Sequence, residues 1–353
     1  MPPVRDLIRG VKRRLKAFRT AGRPDLDQLL NGYRHTAMLY VAAKLRLPDR
    51  LSDLPRSSAE LAAQLPAHEP SLNRLLRGLV ALGICAQDSA GKFHLTAIGK
   101  RLQSTYGGSH FRLALLNGEE YAPAWNHLLH SVRTGEAAFD HAFGQSPWEH
   151  RRANPELNES FNQWLEHGAT AAGRALVKAL DFSRYPTVAD VGGGNGWLLA
   201  EVLRAHSTVR AMLVDQPHVI EAAQPALTQA GLAGRIQFHA VDFFEAIPAG
   251  ADLYILKSIL HDWNDLQCLT ILKRCHAAMR AGQPLLVIER LLPRDATENS
   301  PVILGDLHML AVTGGQERTL QAYESLLVSA GFRMENVTHL RTGHALVKVT
   351  RAP

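Results

Sequence analysis

The residues best suited to chemistry in this 353-residue chain sit where apolar runs end. The clearest group is Val188-Ala189-Asp190-Val191-Gly192-Gly193-Gly194-Asn195-Gly196. Val188 and Val191 read as a strand, and the helical pattern Leu198–Leu203 follows at once. Glycines at a strand-to-helix turn let the backbone pass close to a ligand, because no Cβ stands in the way. The spacing is Asp-x-Gly-x-Gly-x-Gly, not the Gly-x-Gly-x-x-Gly of dinucleotide sites. An acid ahead of the glycines would repel a pyrophosphate, yet it suits a cationic ligand or its ribose. The loop points to S-adenosylmethionine rather than NAD, although a plain turn would account for the glycines taken alone.

The acids downstream decide between those two readings. Asp215 closes the run Met212–Val214, 25 residues after Asp190, where a bound ribose would present its two hydroxyls. Asp242 closes the next run and is followed by Phe243 and Phe244. A carboxylate beside an aromatic ring suits adenine: the acid accepts from the exocyclic amine and the ring stacks. Either acid alone reads as a strand-end cap, but two at successive strand ends after a glycine loop do not.

The fourth run leads into Leu256-Lys257-Ser258-Ile259-Leu260-His261-Asp262-Trp263. His261 is one of 17 histidines, but it lies just past a strand end, on the ligand side of such a sheet. Glu289 ends the run Leu285–Ile288, where a buried strand would not otherwise carry charge. Glu317 lies in the loop Gly314-Gly315-Gln316-Glu317-Arg318-Thr319. A histidine held by carboxylates is a general base of fixed tautomer and orientation. A phenol with a pKa near ~10 is a poor nucleophile at neutral pH until such a base removes its proton. Because no carboxylate cluster can be assembled around His261 from sequence, no metal is expected.

The elements that must position these groups are legible in outline. From Thr187 onward strand-like runs (Val188–Val191, Ala211–Val214, Ile236–Ala240, Leu253–Leu256, Pro284–Ile288) alternate with helical patterns, and residues 332–338 and 344–350 close the chain as an antiparallel pair. This is an open α/β sheet with helices on both faces. Residues 27–47 read as an apolar-rich helix. Ser57-Ser58-Ala59-Glu60 opens another, Leu72–Leu82 forms a third, and Phe93–Thr96 supplies a short wing, the outline of a winged helix. Residues 110–180 are helical and rich in aromatics.

Composition narrows the class. The chain is long enough for two domains, and it has no apolar run of ~18 residues, so no membrane span is expected. Cys85, Cys268 and Cys275 form no Cys-x-x-Cys pair, which fits a reducing cytosol without disulfides or zinc. Residues 1–24 carry eight Arg or Lys against Asp6, with Val4, Leu7, Val11, Leu15 and Phe18 at helical spacing. They read as a basic amphipathic helix that could cover a partner subunit, nucleic acid or a membrane surface. The would-be reading helix offers only Arg74 and Arg77 among leucines, so a structural role is favoured over DNA binding. Its apolar face, otherwise in water, and the stripes within residues 1–47 point to a homodimer.

Together, Asp-Val-Gly-Gly-Gly-x-Gly, Val-Asp-Gln-Pro, Asp-Phe-Phe, Leu-Lys-x-x-Leu-His-Asp-Trp and Gly-Gly-x-Glu-Arg-Thr resemble the small-molecule O-methyltransferases of the caffeic-acid O-methyltransferase type, including their bacterial natural-product branch. The resemblance implies a Rossmann-like methyltransferase sheet over residues 171–353 and an N-terminal, mostly helical winged-helix dimerisation domain over residues 1–170. It implies that Gly192, Asp215, Asp242, Phe243, Lys257 and Ser258 hold S-adenosylmethionine. His261 matches the family's base, flanked by Glu289 and Glu317. Phe161, Trp164, His308, Met309 and Thr313 become candidates for the acceptor pocket. The expected activity is O-methylation of a phenolic or related hydroxyl on an aromatic or polyketide-like secondary metabolite, in the cytoplasm, without metal, nucleic acid or membrane. Two alternatives stay open: the same fold diverted to hydroxylation or decarboxylation, and a DNA-binding regulator that senses the cofactor.

Overall fold

A computed structural model describes residues 25–297 and 301–353. The basic helix expected over residues 1–24 lies outside the described residues. The chain divides into two compact units, one ending at Ala114 and one spanning Leu115–Pro353.

In the first unit, helix α1 (Leu26–Lys44) opens on a capping box. The Asp25 carboxylate accepts from Gln28 N at 2.7 Å, and the Gln28 side chain accepts from Asp25 N at 3.1 Å. A second box, Ser57 with Glu60, opens α2 (Ser58–Ala62). Helix α3 (Glu69–Ala81) then leads to β1 (Cys85–Gln87), which pairs antiparallel with β2 (Phe93–Leu95). The winged-helix outline is therefore present. One expectation is corrected. Leu72, Leu76 and Leu79 of α3 are buried in the unit's own core, so this helix leaves no apolar face in water. The uncovered stripe is on α1, where Leu26, Leu29, Leu30 and Tyr33 are between 62% and 69% exposed. Their i, i+3, i+4, i+7 spacing places them on one face.

The second unit is built on a seven-stranded sheet. Its strands are β3 (Thr187–Val191), β4 (Arg210–Asp215), β5 (Ile236–Ala240), β6 (Leu253–Lys257), β7 (Pro284–Glu289), β8 (Phe332–His339) and β9 (Ala345–Arg351). Their order is β5-β4-β3-β6-β7-β9-β8. Strands β3 to β7 pair in parallel, and β9 runs antiparallel to both its neighbours. The chain enters at β3, builds outward through β4 and β5, then returns to lay β6 on the other side of β3. That reversal opens a crevice at the carboxyl ends of β3 and β6.

Both faces are covered, which is why the central strands β3, β4, β6 and β7 are nearly continuous apolar runs rather than alternating. Tyr254 and Leu256 face one core, with Ile271 and Leu272 of α8 (Asp265–Ala278) and Tyr323 of α10 (Leu320–Ser329). Leu253 and Ile255 face the other, with Leu199 of α6 (Trp197–Ala205) and Leu227 of α7 (Pro217–Gln229). Leu176 of α5 (Pro155–Ala179) joins this second core, and α5 packs along α6. Residues 115–170 therefore fall in the same unit as the sheet, where the sequence placed a boundary at 170. Helical periodicity shows that a helix has an apolar face, but not what covers it. Strand β5 ends at Ala240, so Asp242 stands on the turn beyond it rather than closing the strand.

Candidate active site

The glycine loop lies at the carboxyl end of β3. Gly192, Gly194 and Gly196 take left-handed φ values of 71°, 57° and 73°, a region that costs other residues a steric penalty. A Cβ on Gly192 would collide with the Ile259 side chain and lie 3.5 Å from Phe243. Asp215 fastens this loop: Oδ2 accepts from Gly194 N at 2.8 Å and Oδ1 from Gln216 N at 2.7 Å. Burial pushes its carboxyl up, and those two N–H donors oppose the shift. Asp190 is buried and pushed up to about 7, with Lys257 acting against the rise. Lys257 is lowered by burial, opposed by Glu289 and Asp190.

On the turn after β5, Asp242 Oδ1 accepts from Phe244 N at 2.8 Å. The rings of Phe243 and Phe244 meet Trp263 edge-on, at centroid distances of 6.1 and 4.8 Å. Aromatic edges, two carboxylates and a glycine loop whose Gly192 and Gly193 leave no room for a Cβ fit a nucleoside carrying a positive charge. The buried Oδ1 of Asn195 has no hydrogen-bond partner. Ser258 adopts φ 54° while its N–H donates to Ile288 O at 3.0 Å, turning the chain off β6.

That turn delivers His261, on the 3₁₀ turn Leu260–Asp262. Glu289, fully buried at the end of β7, fixes the turn by accepting from Ile259 N at 3.0 Å and Leu260 N at 2.8 Å. Its other oxygen lies 3.7 Å from His261 Nδ1. Glu317 Oε1 is closer, 3.1 Å from the same nitrogen. The Glu317 loop is clamped onto the turn. Gln316 N donates to His261 O at 2.9 Å, and Arg318 donates to Leu260 O at 2.8 Å and Trp263 O at 2.7 Å. Gly315 lies so close to the backbone of His261 and Asp262 that no Cβ would fit.

Nδ1 therefore faces acids, while Nε2 lies 3.8 Å from Asp262 Oδ1. Burial works against charge on His261, but Glu289, Asp262 and Glu317 outweigh it and raise the imidazole to about 9. Glu289 is itself pushed up to about 7, by burial first, with His261 opposing and Glu317 adding to the rise. The expectation that no carboxylate cluster surrounds His261 is thus overturned. One ligating atom each from His261, Glu289 and Glu317 lie within 4.8 Å of one another. The three groups come from β7, a 3₁₀ turn and a distant loop; the sequence named each of them and expected the acids to flank His261, while their distances follow from the fold.

The acceptor candidates fare unevenly. His308, on α9 (Pro301–Val312), accepts from Trp125 Nε1 at 3.2 Å and meets Tyr121 edge-on at 4.6 Å. Burial, with help from Arg151 and His261, lowers it to about 4 and keeps it neutral. Thr313 Oγ1 donates to the main-chain oxygen of Met309 at 3.0 Å and accepts from Gly315 N at 3.2 Å. The Thr313 hydroxyl is thereby engaged in closing the loop. Phe161 and Trp164 lie on α5, and Phe161 carries the Arg151 guanidinium 3.7 Å from its ring centre. Sequence reasoning missed Asp262, although it stands inside the quoted His-Asp-Trp motif. Trp148, one of the aromatics of the helical stretch 110–180, lies 6.2 Å from both Phe161 and Trp263, and the buried Arg151–Glu120 pair was not foreseen.

Comparison with known proteins agrees with this geometry. Residues 125–333 match the O-methyltransferase domain family, and residues 27–105 match the O-methyltransferase dimerisation domain family. A phenazine O-methyltransferase of Lysobacter antibioticus is 39% identical over 326 residues, 92% of this chain and 94% of its own. An O-demethylpuromycin O-methyltransferase of Streptomyces alboniger is 40% identical over 88% of this chain and 83% of its own. An O-methyltransferase from neocarzinostatin biosynthesis, solved with S-adenosylmethionine and 2-hydroxy-5-methyl naphthoic acid, superposes with a TM-score of 0.80 at 33% identity. The match covers 90% of this chain and 96% of that one. The chain belongs to the S-adenosylmethionine-dependent small-molecule O-methyltransferases.

Proposed function

We propose that this enzyme methylates a phenolic hydroxyl on a planar aromatic metabolite, with His261 Nε2 as the general base. The observation that carries this reading is the Nδ1–Glu317 contact of 3.1 Å. A proton on Nδ1 is committed to Glu317, so the lone pair of Nε2 is left for the acceptor. Glu289 positions the turn and, with Glu317, stabilises the imidazolium formed when His261 takes the phenolic proton. General-base assistance of this kind contributes about 100–10,000-fold.

When bound, S-adenosylmethionine supplies the methyl group on a positively charged sulfonium. Gly192 and Gly194 supply the close approach, Asp215 offers its carboxylate to the ribose, and Asp242 with Phe243 and Phe244 forms the adenine recess. Lys257 and Ser258 border the same end of the sheet. Positive charge brought next to His261 favours its neutral form, the form a base needs. Methyltransferases of this family need no metal, so the acid cluster is read as a proton store rather than an ion site.

The relatives' phenazine and naphthoic acid support a flat hydroxyaromatic acceptor. The dimerisation-domain match and the exposed stripe on α1 support a homodimer through the N-terminal unit. The free, buried Cys85, Cys268 and Cys275 suit a reducing compartment such as the cytoplasm. No described helix is long and apolar enough to cross a membrane. Incubating the protein with S-adenosylmethionine and a panel of hydroxyaromatics, with mass detection of a product one methylene heavier, tests the reading. Methylation at nitrogen or carbon alone, or oxygenation of the acceptor, would overturn it.

A further inference from the structure

A buried ion pair near the base has no part in the chemistry above. Arg151, on α4 (Pro147–Ala153), and Glu120 are 3% and 0% exposed at their side chains. Arg151 Nε donates to Glu120 Oε1 at 3.2 Å and Oε2 at 3.1 Å, and Nη2 donates to Oε2 at 2.7 Å. Glu120 thus occupies one edge of the guanidinium. The hydrogen bonds of this guanidinium among the described residues run from Nε and Nη2, which leaves Nη1 outside the Glu120 contact.

The surroundings are aromatic. The guanidinium carbon is 3.7 Å from the Phe161 ring centre and 5.6 Å from that of Trp148, and Trp148 stacks towards Trp263 at 6.2 Å. The positive charge is felt at the reacting end of the site. It opposes the rise that burial imposes on Asp262, and it helps burial to lower His308. Asp262 is the acid 3.8 Å from His261 Nε2. Glu120 stands in a π-helical turn, Asn117–Tyr121, a local irregularity that helices keep mostly at functional positions.

Stability alone is a poor reason for such a pair. Desolvating two charges offsets most of their attraction, and apolar residues of similar volume often do as well. A guanidinium held rigidly by one edge, with aromatic walls and a second donor edge outside that contact, is instead suited to recognising an oxygen anion in a plane.

We propose that Arg151, fixed by Glu120, selects the acceptor: its Nη1 edge donates to a carboxylate carried by the same aromatic ring system whose hydroxyl is methylated. This deepens the methyltransferase reading and rests on it. Glu120 fixes the orientation of the fork, and Phe161 and Trp148 set the plane in which the ring system lies.

The test measures a binding ratio rather than turnover. The full-length protein, saturated with S-adenosylhomocysteine, is titrated by fluorescence with 6-hydroxy-2-naphthoate and with 2-naphthol. Wild type is expected to bind the carboxylate about tenfold or more tightly, the scale of one charge-assisted hydrogen bond. In Glu120→Gln/Arg151→Met, which leaves no charge buried alone, the ratio should fall to within about twofold. Arg151→Lys keeps the charge but loses the fork, and should cut the ratio by at least about threefold. It carries the test if the double variant does not fold. A wild-type ratio near one, or a ratio unchanged in the folded variants, overturns the assignment. The two readings fail separately. Cofactor binding and methylation without the preference would sink the role of Arg151 alone. A carboxylate preference that depends on Arg151, in a protein that binds no S-adenosylhomocysteine, would sink the methyltransferase mechanism and the acceptor role with it, and leave only the carboxylate contact of Arg151 standing.

Discussion

His261 Nδ1 and Glu317 Oε1 meet at 3.1 Å across 56 residues of sequence. On the proposed mechanism the contact engages Nδ1 and leaves Nε2 for the acceptor. Glu317 reaches it on a loop clamped through Gln316 and Arg318 to the backbone of the same turn.

Replacing His261 with Ala should remove turnover by about 100–10,000-fold while S-adenosylmethionine affinity changes by no more than a few-fold. On the proposed reading the cofactor is held by Gly192, Asp215 and Phe243 rather than by the imidazole. Calorimetry and a rate assay on the same preparation decide it. Turnover within twofold of wild type would remove His261 from the base role.

The pH dependence follows from the same cluster. Burial disfavours charge on His261, but Glu289, Asp262 and Glu317 prevail and lift it to about 9. In the free enzyme the base form therefore grows as pH rises from neutral towards 9, and kcat/KM should climb over that range. Glu317→Gln should move the rising limb to lower pH. A raised folded pKa also links to stability: the contribution is complete below the unfolded value near ~6.5 and is lost as pH rises through 9. The Tm of the cofactor-free protein should fall across that window in wild type and fall less in His261→Gln.

Asp215→Ala should weaken cofactor binding by about 2–4 kcal/mol, since on the proposed reading it removes charged hydrogen bonds to the ribose, and it also releases the Gly194 N–H from which its Oδ2 accepts. At saturating cofactor the chemical step should be largely retained. Isothermal titration gives the affinity. A wild-type Kd would show that neither the loop nor the ribose depends on this carboxylate.

Gly315→Ala tests the clamp without touching an ionisable group. A methyl there would meet the backbone of His261 and Asp262, so the loop must lift and draw Glu317 away from Nδ1. Turnover should fall by about tenfold or more, with cofactor affinity kept within a few-fold, on the scale of misplacement effects in active sites. An unimpaired rate would mean that the loop accommodates the methyl without moving Glu317.

The α1 stripe should hold a second copy of the chain. Leu29→Glu with Leu30→Glu places two charges on a face whose residues are more than 60% exposed, so the fold should survive and association should not. Sedimentation velocity at micromolar concentration should show a dimer for wild type and a monomer for the variant. A monomeric wild type would refute the interface.

Much of this protein was written locally. Asp190 and the three alternate glycines announced a strand-to-helix turn, because only residues without a Cβ accept positive φ there. The inner parallel strands were legible as apolar runs, because a sheet covered on both faces buries nearly all of their side chains. Asp215 and Glu289 stood out as charges at the ends of such runs, and the capping box at Ser57 and Glu60 is a contact three residues long. What tertiary structure decided lies in contacts between distant segments. The cluster around His261 joins β7, a 3₁₀ turn and the Gly314–Thr319 loop, and Arg151 meets Glu120 across 31 residues. The apolar face of α3 was visible in sequence, but that its own unit covers it was not. Thr313 offered a hydroxyl whose hydrogen bonds to the main chain depended on where Met309 and Gly315 came to rest. Periodicity and backbone sterics act over a few residues and leave their mark on the sequence. Which charge neutralises which, and what covers an apolar face, is settled only when packing brings remote segments within a few ångströms, where burial makes an unpaired charge too costly to leave alone.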